Sequence, residues 1–478
     1  MTEIETKQQE SLQDRFDQIQ TLLRQYSKEK TQAKEEQIPF HPDYTELQKK
    51  LEELHSADIA DLLEALPLDE RLLLWQCVKS DRDGDILLEV SDAVRESLLA
   101  DMDDHEIIAA AKELDTDELA DLAPELSNDV LQELISSLDT QDREQLQSAL
   151  SYEEDQVGAL MDFEILSIRD DVTLEVVLRY LRRFKEFPDH TDKIFVVDSA
   201  SVLKGVLPIK QLLLNDPDIL VSDVMSDDPV VFNPDNDAYE AAQAFERYDL
   251  ISAPVVDKNN KLIGRLTIDE MVDLIREETE TEMLNMAGLR EDEDIFASVW
   301  RSLRNRWAWL AINLITAFIA SRVIGLFDGT IEKLVALAAL MPIVAGIGGN
   351  SGNQTITMIV RAMALDQITT ANTFRLLRKE LSVSFINGIV WGSVIGIVAY
   401  YLYGSWSLGI VMTLAMTLNL LLSALMGVII PMTMVKFGRD PAIGSSVMIT
   451  AITDSGGFFI FLGLATLFMS FGILPATG

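Results

Sequence analysis

The chain has 478 residues, a net charge of −39 at neutral pH, one cysteine and four histidines. Such acidity argues against a nucleic-acid partner, because phosphate backbones are bound through clustered lysine and arginine. The single cysteine, Cys77, excludes an internal disulfide, and the histidines are too scattered for a soft-metal site. Any bound metal is therefore expected to be a hard, oxygen-ligated cation such as magnesium or calcium.

The charge divides the chain into two unlike parts. Residues 301–478 hold 11 Lys/Arg and 6 Asp/Glu, whereas the first 300 residues hold 28 and 72, so the net charges are +5 and −44. This composition predicts a soluble acidic body joined to a membrane domain.

The acidic body begins with a polar extension, residues 1–43, which has no apolar core of the kind found in a cleaved signal, so we expect a cytoplasmic amino terminus. Residues 44–150 read as an acidic domain of short amphipathic helices. The stretch Ala60–Leu66 (ADLLEAL) recurs as Ala120–Leu126 (ADLAPEL). This repeat suggests stacked helix pairs in a superhelical array.

Residues 151–270 alternate short strands and helices in two halves with one plan. Ile194–Asp198 and Gly205–Gln211 in the first half correspond to Ala253–Asp257 and Gly264–Glu270 in the second. The pattern resembles a tandem pair of CBS domains, which implies a back-to-back α/β fold and binding of ATP or another adenine nucleotide. The usual nucleotide signature is Thr or Ser followed three residues later by Asp.

In the second half Thr267 is followed by Glu270, and these two are the nucleotide-binding candidates; the first half has Pro208 and Gln211 instead. Residues 271–300 are predicted to form an acidic amphipathic connecting (plug) helix that leads to the membrane domain. Its charges fit a solvated helix face, but its position favours a role in transmitting changes from the acidic body to a pore mouth.

Residues 301–478 contain five stretches long and apolar enough to cross a bilayer, which needs about 20 residues. Nine basic residues lie in the loops on one side and two on the other, which places the amino terminus inside and Gly478 outside. The predicted spans are Trp307–Leu326, Leu334–Val360, Leu381–Leu402, Leu408–Val435 and Ile443–Phe471.

The second and fifth spans carry polar groups that lipid-facing helices do not need. The second contains Gly-Ile-Gly-Gly-Asn-Ser-Gly-Asn-Gln, residues 346–354. Its glycines fit helix packing, but three amides in hydrocarbon favour a broken or close-packed helix along an aqueous path.

Asp454 lies within the fifth span, and an intramembrane acid is a functional-site hypothesis by default. The alternative is a structural acid hydrogen-bonded to Asn419 or another buried amide. If two copies met on a twofold axis, paired Asp454 carboxylates would hold a divalent cation.

Together these features resemble the MgtE family of bacterial magnesium channels. The resemblance rests on the order of domains, on the second-span motif ending at Gln354 and on Thr453-Asp454 in the fifth span. It implies a homodimer in which Asp454 marks the pore's ion site and Asn350 and Asn353 lie along the conduit; Asn419 is grouped with these pore candidates.

The family also closes when magnesium binds between its cytoplasmic domains and the connecting helix. Two positions where carboxylates are expected hold Tyr239 and Thr281 instead. The positions that look similar to the family's acidic ligands are Asp117, Asp121, Asp237, Asp249, Glu270, Asp273, Glu278, Glu282 and Asp440.

The predicted fold is a multidomain membrane protein: an α-helical superhelical cytoplasmic domain, tandem α/β CBS domains, a connecting amphipathic helix and a five-helix transmembrane domain. The predicted function is a homodimeric, magnesium-gated magnesium channel in the lipid of the bacterial cytoplasmic (inner) membrane, without enzymatic activity.

Three alternatives stay open. A magnesium transporter coupled to sodium or protons would use Asp454 as a protonatable relay. An intramembrane aspartyl protease would need two aspartates from different spans, and the spans hold one. A sensor without transport leaves five spans with buried polar groups unexplained.

Overall fold

The computed structural model describes residues 3–36, 43–185, 187–289, 295–364, 367–368 and 372–474. The chain forms two compact units. The first comprises Met1–Thr279 with Asp294–Ala297, and the second comprises Glu280–Glu293 with Ser298–Gly478.

Within the described residues, the first unit opens with ten α-helices. Many start at capping residues; Asp103, for example, accepts from the Glu106 backbone N–H while Glu106 accepts from that of Asp103. The helices are α1 (Glu3–Glu36), α2 (Thr45–Glu52), α3 (Ser56–Glu64), α4 (Leu68–Trp75), α5 (Asp83–Glu89), α6 (Asp92–Leu99), α7 (Asp104–Ala111), α8 (Thr116–Leu122), α9 (Asn128–Ser137) and α10 (Thr140–Ala149).

Helices α3 to α10 form four helix pairs that repeat every 24 residues. The clearest marker is an arginine in the second helix whose Nε–H donates to the carbonyl eight residues earlier. Arg71 donates to Leu63 at 2.9 Å, Arg95 to Leu87 at 2.7 Å and Arg143 to Ile135 at 2.9 Å. Each arginine thus supplies a donor to a carbonyl at the end of the preceding helix, where helical partners run out.

The superhelical array is therefore confirmed, but the sequence repeat on which it rested is wrong. Ala60–Leu66 lies mainly in α3, the first helix of its pair, whereas Ala120–Leu126 runs from α8 into a 3₁₀ turn, in the second helix of another pair. Their spacing is not a multiple of 24 residues. Leucine- and alanine-rich amphipathic helices match one another at many offsets, which explains the coincidence.

Helix α1 packs on the array although its sequence is polar. Phe16, Ile19, Leu23 and Tyr26 follow helical spacing along one face, and Ile19 and Leu23 are fully buried against the apolar cluster that includes Trp75. The Tyr26 hydroxyl also donates to the Asp43 carbonyl at 2.9 Å. The extension thus supplies a helix that covers one end of the apolar core.

The remainder of the first unit holds two α/β halves. The first half has a sheet in the order β1-β2-β3, with β1 parallel and β3 antiparallel to β2; the second has the antiparallel pair β4-β5. Both hairpins carry an irregularity at the same place. The elements are β1 (Ser167–Arg169), α11 (Leu174–Leu181), β2 (Lys193–Val197), β3 (Leu203–Pro208), α12 (Ile209–Leu214), α13 (Ala238–Tyr248), β4 (Ser252–Val256), β5 (Leu262–Thr267) and α14 (Ile268–Ala287).

Reciprocal hydrogen bonds join the two halves at their hairpin turns. The Leu203 N–H donates to the Asn260 carbonyl at 2.9 Å, and the Leu262 N–H donates to the Ser201 carbonyl at 3.0 Å. Ser201 and Asn260 both adopt positive φ, 62° and 61°. The two halves are therefore related by an approximate twofold, as the tandem pattern predicts.

The second unit is built from long apolar helices. Its helices are α15 (Val299–Gly325), α16 (Asp328–Lys333), α17 (Ala336–Ala364), α18 (Thr373–Tyr403), α19 (Trp406–Lys436) and α20 (Ser445–Ser470). Among the described residues, α15, α18, α19 and α20 are long and apolar enough to cross a membrane. These four match predicted spans one, three, four and five.

The second predicted span coincides with α17, which is long enough but is not among these four because its glycine- and asparagine-rich middle lowers its mean hydropathy. The helix is continuous through Pro342, so it is close-packed rather than broken. Its membrane crossing stays a prediction.

Candidate functional site

A fully buried asparagine joins three helices of the second unit. Asn419 of α19 is 0% exposed, and its Nδ2 donates to the Val344 carbonyl of α17 at 2.9 Å. Its Oδ1 has no hydrogen-bond partner among the described residues. This burial suits a residue that holds helices together, and its role in lining a pore stays a prediction.

Glycines make room for this asparagine. A Cβ at Gly348 of α17 would lie 2.2 Å from Asn419 Nδ2, and one at Gly457 of α20 would lie 2.7 Å from the same atom. One turn further along α19, the Ser423 hydroxyl donates to the Gly348 carbonyl at 2.8 Å. The small residues of the second-span motif therefore allow α17, α19 and α20 to meet closely.

Asp454 lies beside this junction. It follows the fully buried Thr453, whose Oγ1 would lie 3.7 Å from a Cβ at Gly349 of α17. Asp454 itself is half-buried, and within the described part of the chain it makes no hydrogen bond or ion pair. The alternative of a structural acid requires a hydrogen bond to Asn419 or another buried amide. No such bond is present among the described residues, and Asn419 Nδ2 donates to the Val344 carbonyl of α17.

Asn350 and Asn353 lie about one turn apart on α17, next to the glycines Gly349 and Gly352 that pack at the junction. Asn350 is exposed and Asn353 is half-buried, and neither side-chain amide bonds to a described residue. Unpaired amides and a carboxylate are costly in hydrocarbon. This face of the helix group therefore requires water, an ion or another subunit beside it.

A second polar site lies in the first unit, where α8 and the start of α14 bring acids together. Asp117 and Asp121, one turn apart on α8, both interact electrostatically with Glu270, and Asp121 also interacts with Asp273. Asp121 and Asp273 are solvent-accessible. Four of the predicted metal ligands are thus brought together by the fold.

Crowding opposes ionisation of these acids. Burial, followed by the negative charges of Asp117 and Asp121, raises the pKa of Glu270 to about 9. Burial and the charge of Asp162 raise the pKa of Asp117 to about 7. The pKa values of Asp121 and Asp273 are also raised, mainly because the surrounding protein removes part of the hydration of these carboxylates although the residues still reach solvent. A divalent cation would relieve this repulsion.

Sequence reasoning missed Glu277. Burial and the charges of Asp121 and Asp92 raise its pKa to about 7. Glu270, Asp273 and Glu277 occupy positions i, i+3 and i+7 of α14, which is one helix face. That spacing was readable in the sequence, and it would have favoured Glu277 over Glu278.

The repeated arginine of the helix pairs is absent from the pair that carries Asp117 and Asp121. In the third helix pair the position equivalent to Arg71, Arg95 and Arg143 is Leu119, on α8 between Asp117 and Asp121. No guanidinium of the repeat therefore lies between these two aspartates.

The structure separates Asp237 from Asp249. Asp237 begins α13, where its Oδ1 accepts from the Glu240 N–H at 2.8 Å, and Asp249 ends the helix with φ of 52°. At 1.5 Å per residue they lie about 18 Å apart. They do not ligate one ion within one chain.

Further along α14, Glu278 is exposed, and Glu282 is half-buried with its pKa raised by burial and then by the charge of Asp440. Asp440 accepts from the Ala442 N–H at 2.8 Å. Glu282 and Asp440 are thus brought together within the second unit.

Across the described residues, no three acids, histidines or cysteines are already placed to hold a metal directly. The clusters offer only carboxylate oxygens, which fit a hard cation that keeps part of its hydration shell. Thr267, the nucleotide candidate, is buried at the end of β5, and Glu270 faces acids that would repel a phosphate lacking a cation.

Family models match three parts of the chain. They are the divalent cation transporter MgtE at residues 341–464, the MgtE intracellular N domain at 54–155 and the CBS domain at 221–277. The matched transporter model describes transport rather than an enzymatic reaction.

Individual relatives agree. The magnesium transporter MgtE of Thermus thermophilus is 32% identical over 66% of this chain and 71% of its own length, and that of Bacillus subtilis is 29% identical over 67% and 71%. A crystal structure of the cytosolic domain of the Mg²⁺ channel MgtE with ATP is 30% identical, covers 48% of this chain and 95% of that chain, and has a TM-score of 0.45. The chain is a multi-pass membrane protein, and it belongs to the MgtE family.

Proposed function

We propose that two copies of this chain form a magnesium-conducting channel in the bacterial cytoplasmic membrane. The observation that supports this most is Asp454: a half-buried carboxylate without a partner among the described residues, set beside the close junction of α17, α19 and α20. The relatives named magnesium transporters support the choice of ion.

Facing Asp454 carboxylates would attract a divalent cation at the subunit boundary. Magnesium gives up its water reluctantly, so these carboxylates would hold the hydrated ion through its waters. Asn350 and Asn353 would supply further hydrogen bonds to that hydration shell. Uptake needs no other fuel, since two charges entering an inside-negative cell gain about 4.6 kcal/mol per 100 mV.

The acidic cluster would sense magnesium on the cytoplasmic side, where the amino terminus lies in this proposal. With −44 charges in residues 1–300, the cation-free body repels itself, and magnesium bridging Asp117, Asp121, Glu270, Asp273 and Glu277 would favour a compact state. Magnesium then closes the channel by binding that state more tightly than the open one. Glu282 and Asp440 form a second acidic pair for the same purpose.

Planar-bilayer recording from the purified full chain tests this function. Discrete unitary magnesium currents that close when magnesium is added on the cytoplasmic side are expected. Flux that requires a sodium or proton gradient and lacks unitary currents would identify a coupled transporter instead. Titration of the full chain with ATP tests whether Thr267 and Glu270 bind a nucleotide. ATP is expected to bind only when magnesium is present. Binding of ATP only in the absence of magnesium would contradict the cation preference inferred for Glu270.

A further inference from the structure

A groove of about 430 Å³ runs along the outside of α18 where it meets α19. Its two polar side chains, Arg378 and Ser382, lie among apolar ones. The apolar lining residues are Phe374, Leu377, Leu381, Phe385, Ile386 and Leu421. From residue 374 to residue 386 the groove extends about 18 Å along the helix axis.

The part of the groove beyond Arg378 is about 12 Å long, which is most of one leaflet, since the hydrocarbon core is about 30 Å thick. The groove begins in the first turn of α18 and continues into the start of the predicted third span, Leu381–Leu402. An apolar slot of this length and position fits a fatty acyl chain.

Two exposed arginines lie at this end of the groove. Arg375 and Arg378 are exposed and make no ion pair or side-chain hydrogen bond to any residue that the structure describes. They are three residues apart, so they share one face of α18. The Arg378 guanidinium lies 5.2 Å from the centroid of the Phe374 ring, which holds it at the groove by a cation–π contact.

We propose that this groove binds an anionic phospholipid, with one acyl chain between α18 and α19 and the phosphate on Arg375 and Arg378. The proposal rests on the proposed topology, which places this end of α18 at the cytoplasmic leaflet. Basic pockets between spanning helices on that side are suited to acidic headgroups. The planar guanidinium binds phosphate oxygens in pairs, and a choline headgroup would add a repelled cation.

Native mass spectrometry of the purified full chain, titrated with dioleoyl phosphatidylglycerol or dioleoyl phosphatidylcholine, tests the site. Phosphatidylglycerol is expected to bind more tightly. Each substitution, Arg375→Gln or Arg378→Gln, should weaken phosphatidylglycerol binding about fivefold, because each removes one basic residue that attracts the anionic headgroup. Ser382→Trp, which fills the groove without changing its charge, should weaken it also.

Arg322→Gln is the matched control, because Arg322 of α15 also lies over a ring, that of Phe318 at 4.9 Å, but does not line this groove. The Arg322→Gln variant should bind phosphatidylglycerol as the unsubstituted chain does.

Equal binding of the two lipids, or unchanged phosphatidylglycerol binding in Arg375→Gln/Arg378→Gln, would overturn the proposal. Disulfide-linked dimers of Ser382→Cys in a Cys77→Ser background would overturn it too, since a second copy would then cover the groove. Unitary currents are measured separately, so failure of the lipid site is distinguishable from failure of the channel.

Discussion

The first unit gathers its carboxylates, whereas the second unit isolates one. Around Glu270, burial and then the neighbouring acids raise the pKa values, so the cluster is partly protonated without a cation near neutral pH. Asp454 has no described partner and lies among small and hydroxyl side chains. A crowded site responds strongly to the presence of a cation, whereas an isolated charge attracts an ion without a network to reorganise.

The largest effect is expected where the charge is isolated. Asp454→Asn should lower magnesium flux into liposomes about a hundredfold, because a charge at this depth is worth several kcal/mol. Asp328→Asn, at the start of the short helix α16, should leave flux unchanged. Normal flux in Asp454→Asn would contradict this contrast between the two units, because Asp454 would then have no role in conduction.

Substitutions at two nearby glycines test the close helix packing without changing any charge. Gly348→Ala should lower the unfolding temperature and reduce flux about tenfold, because the new Cβ would overlap Asn419 Nδ2, and overpacking costs about 1–3 kcal/mol. Gly346→Ala is the control, since a Cβ there meets nothing within 4 Å. The two variants are compared by thermal unfolding in detergent and by flux; equal behaviour would contradict the close junction.

The crowded site should couple magnesium binding to proton release. Because burial and neighbouring acids raise the pKa of Glu270 to about 9 and of Asp117 and Glu277 to about 7, the magnesium affinity of the full chain should rise from pH 6 to pH 9. Titration calorimetry in buffers of different ionisation enthalpy counts the protons released.

The raised pKa values also determine how the stability of the folded chain changes with pH. Raised pKa values favour the folded state at low pH, and this contribution is lost as the pH rises through 7 and then 9. Magnesium-free protein should therefore lose thermal stability over that range. Glu270→Gln should flatten the change near pH 9, and an unchanged profile in this variant would show that the cluster does not titrate as a group.

The smallest effect concerns the scaffold of the first unit. Arg143→Ala should lower the free energy of unfolding by about 1–3 kcal/mol, because it leaves three carbonyls without their guanidinium donor. Lys79→Ala removes only an exposed pair with Glu52 and should cost less than about 1 kcal/mol. Urea titration measures both, and equal losses would contradict the structural importance of the arginines that mark the repeat.

The membrane helices and the tandem halves could be predicted because their signals are strong. Twenty-residue apolar runs leave few alternatives, and the two Asp-containing turns at residues 198 and 257 mark one repeat. The 24-residue register could not be predicted as easily, because short leucine-rich helices resemble one another at several offsets. Only the hydrogen bonds of Arg71, Arg95 and Arg143 mark it clearly.

The candidate sites were predicted in part. Asp454, Asp117 and Glu270 stand out as acids in unusual surroundings, and the family resemblance guided their choice. Glu277 was missed although it shares a helix face with Glu270. The packing role of Asn419 depends on contacts with Gly348 and Gly457, which are far away in the chain, so it could not be read from local pattern.

The third helix pair, in which Leu119 occupies the arginine position, has a consequence for motion. An array of repeats opens locally, and a pair without its guanidinium brace should open more readily than its neighbours. Amide hydrogen exchange is therefore expected to be fastest within α7 and α8. Added magnesium, bound by the aspartates on either side of Leu119, would slow it most there, so that a dissolved ion stiffens the single pair that lacks a built-in cation.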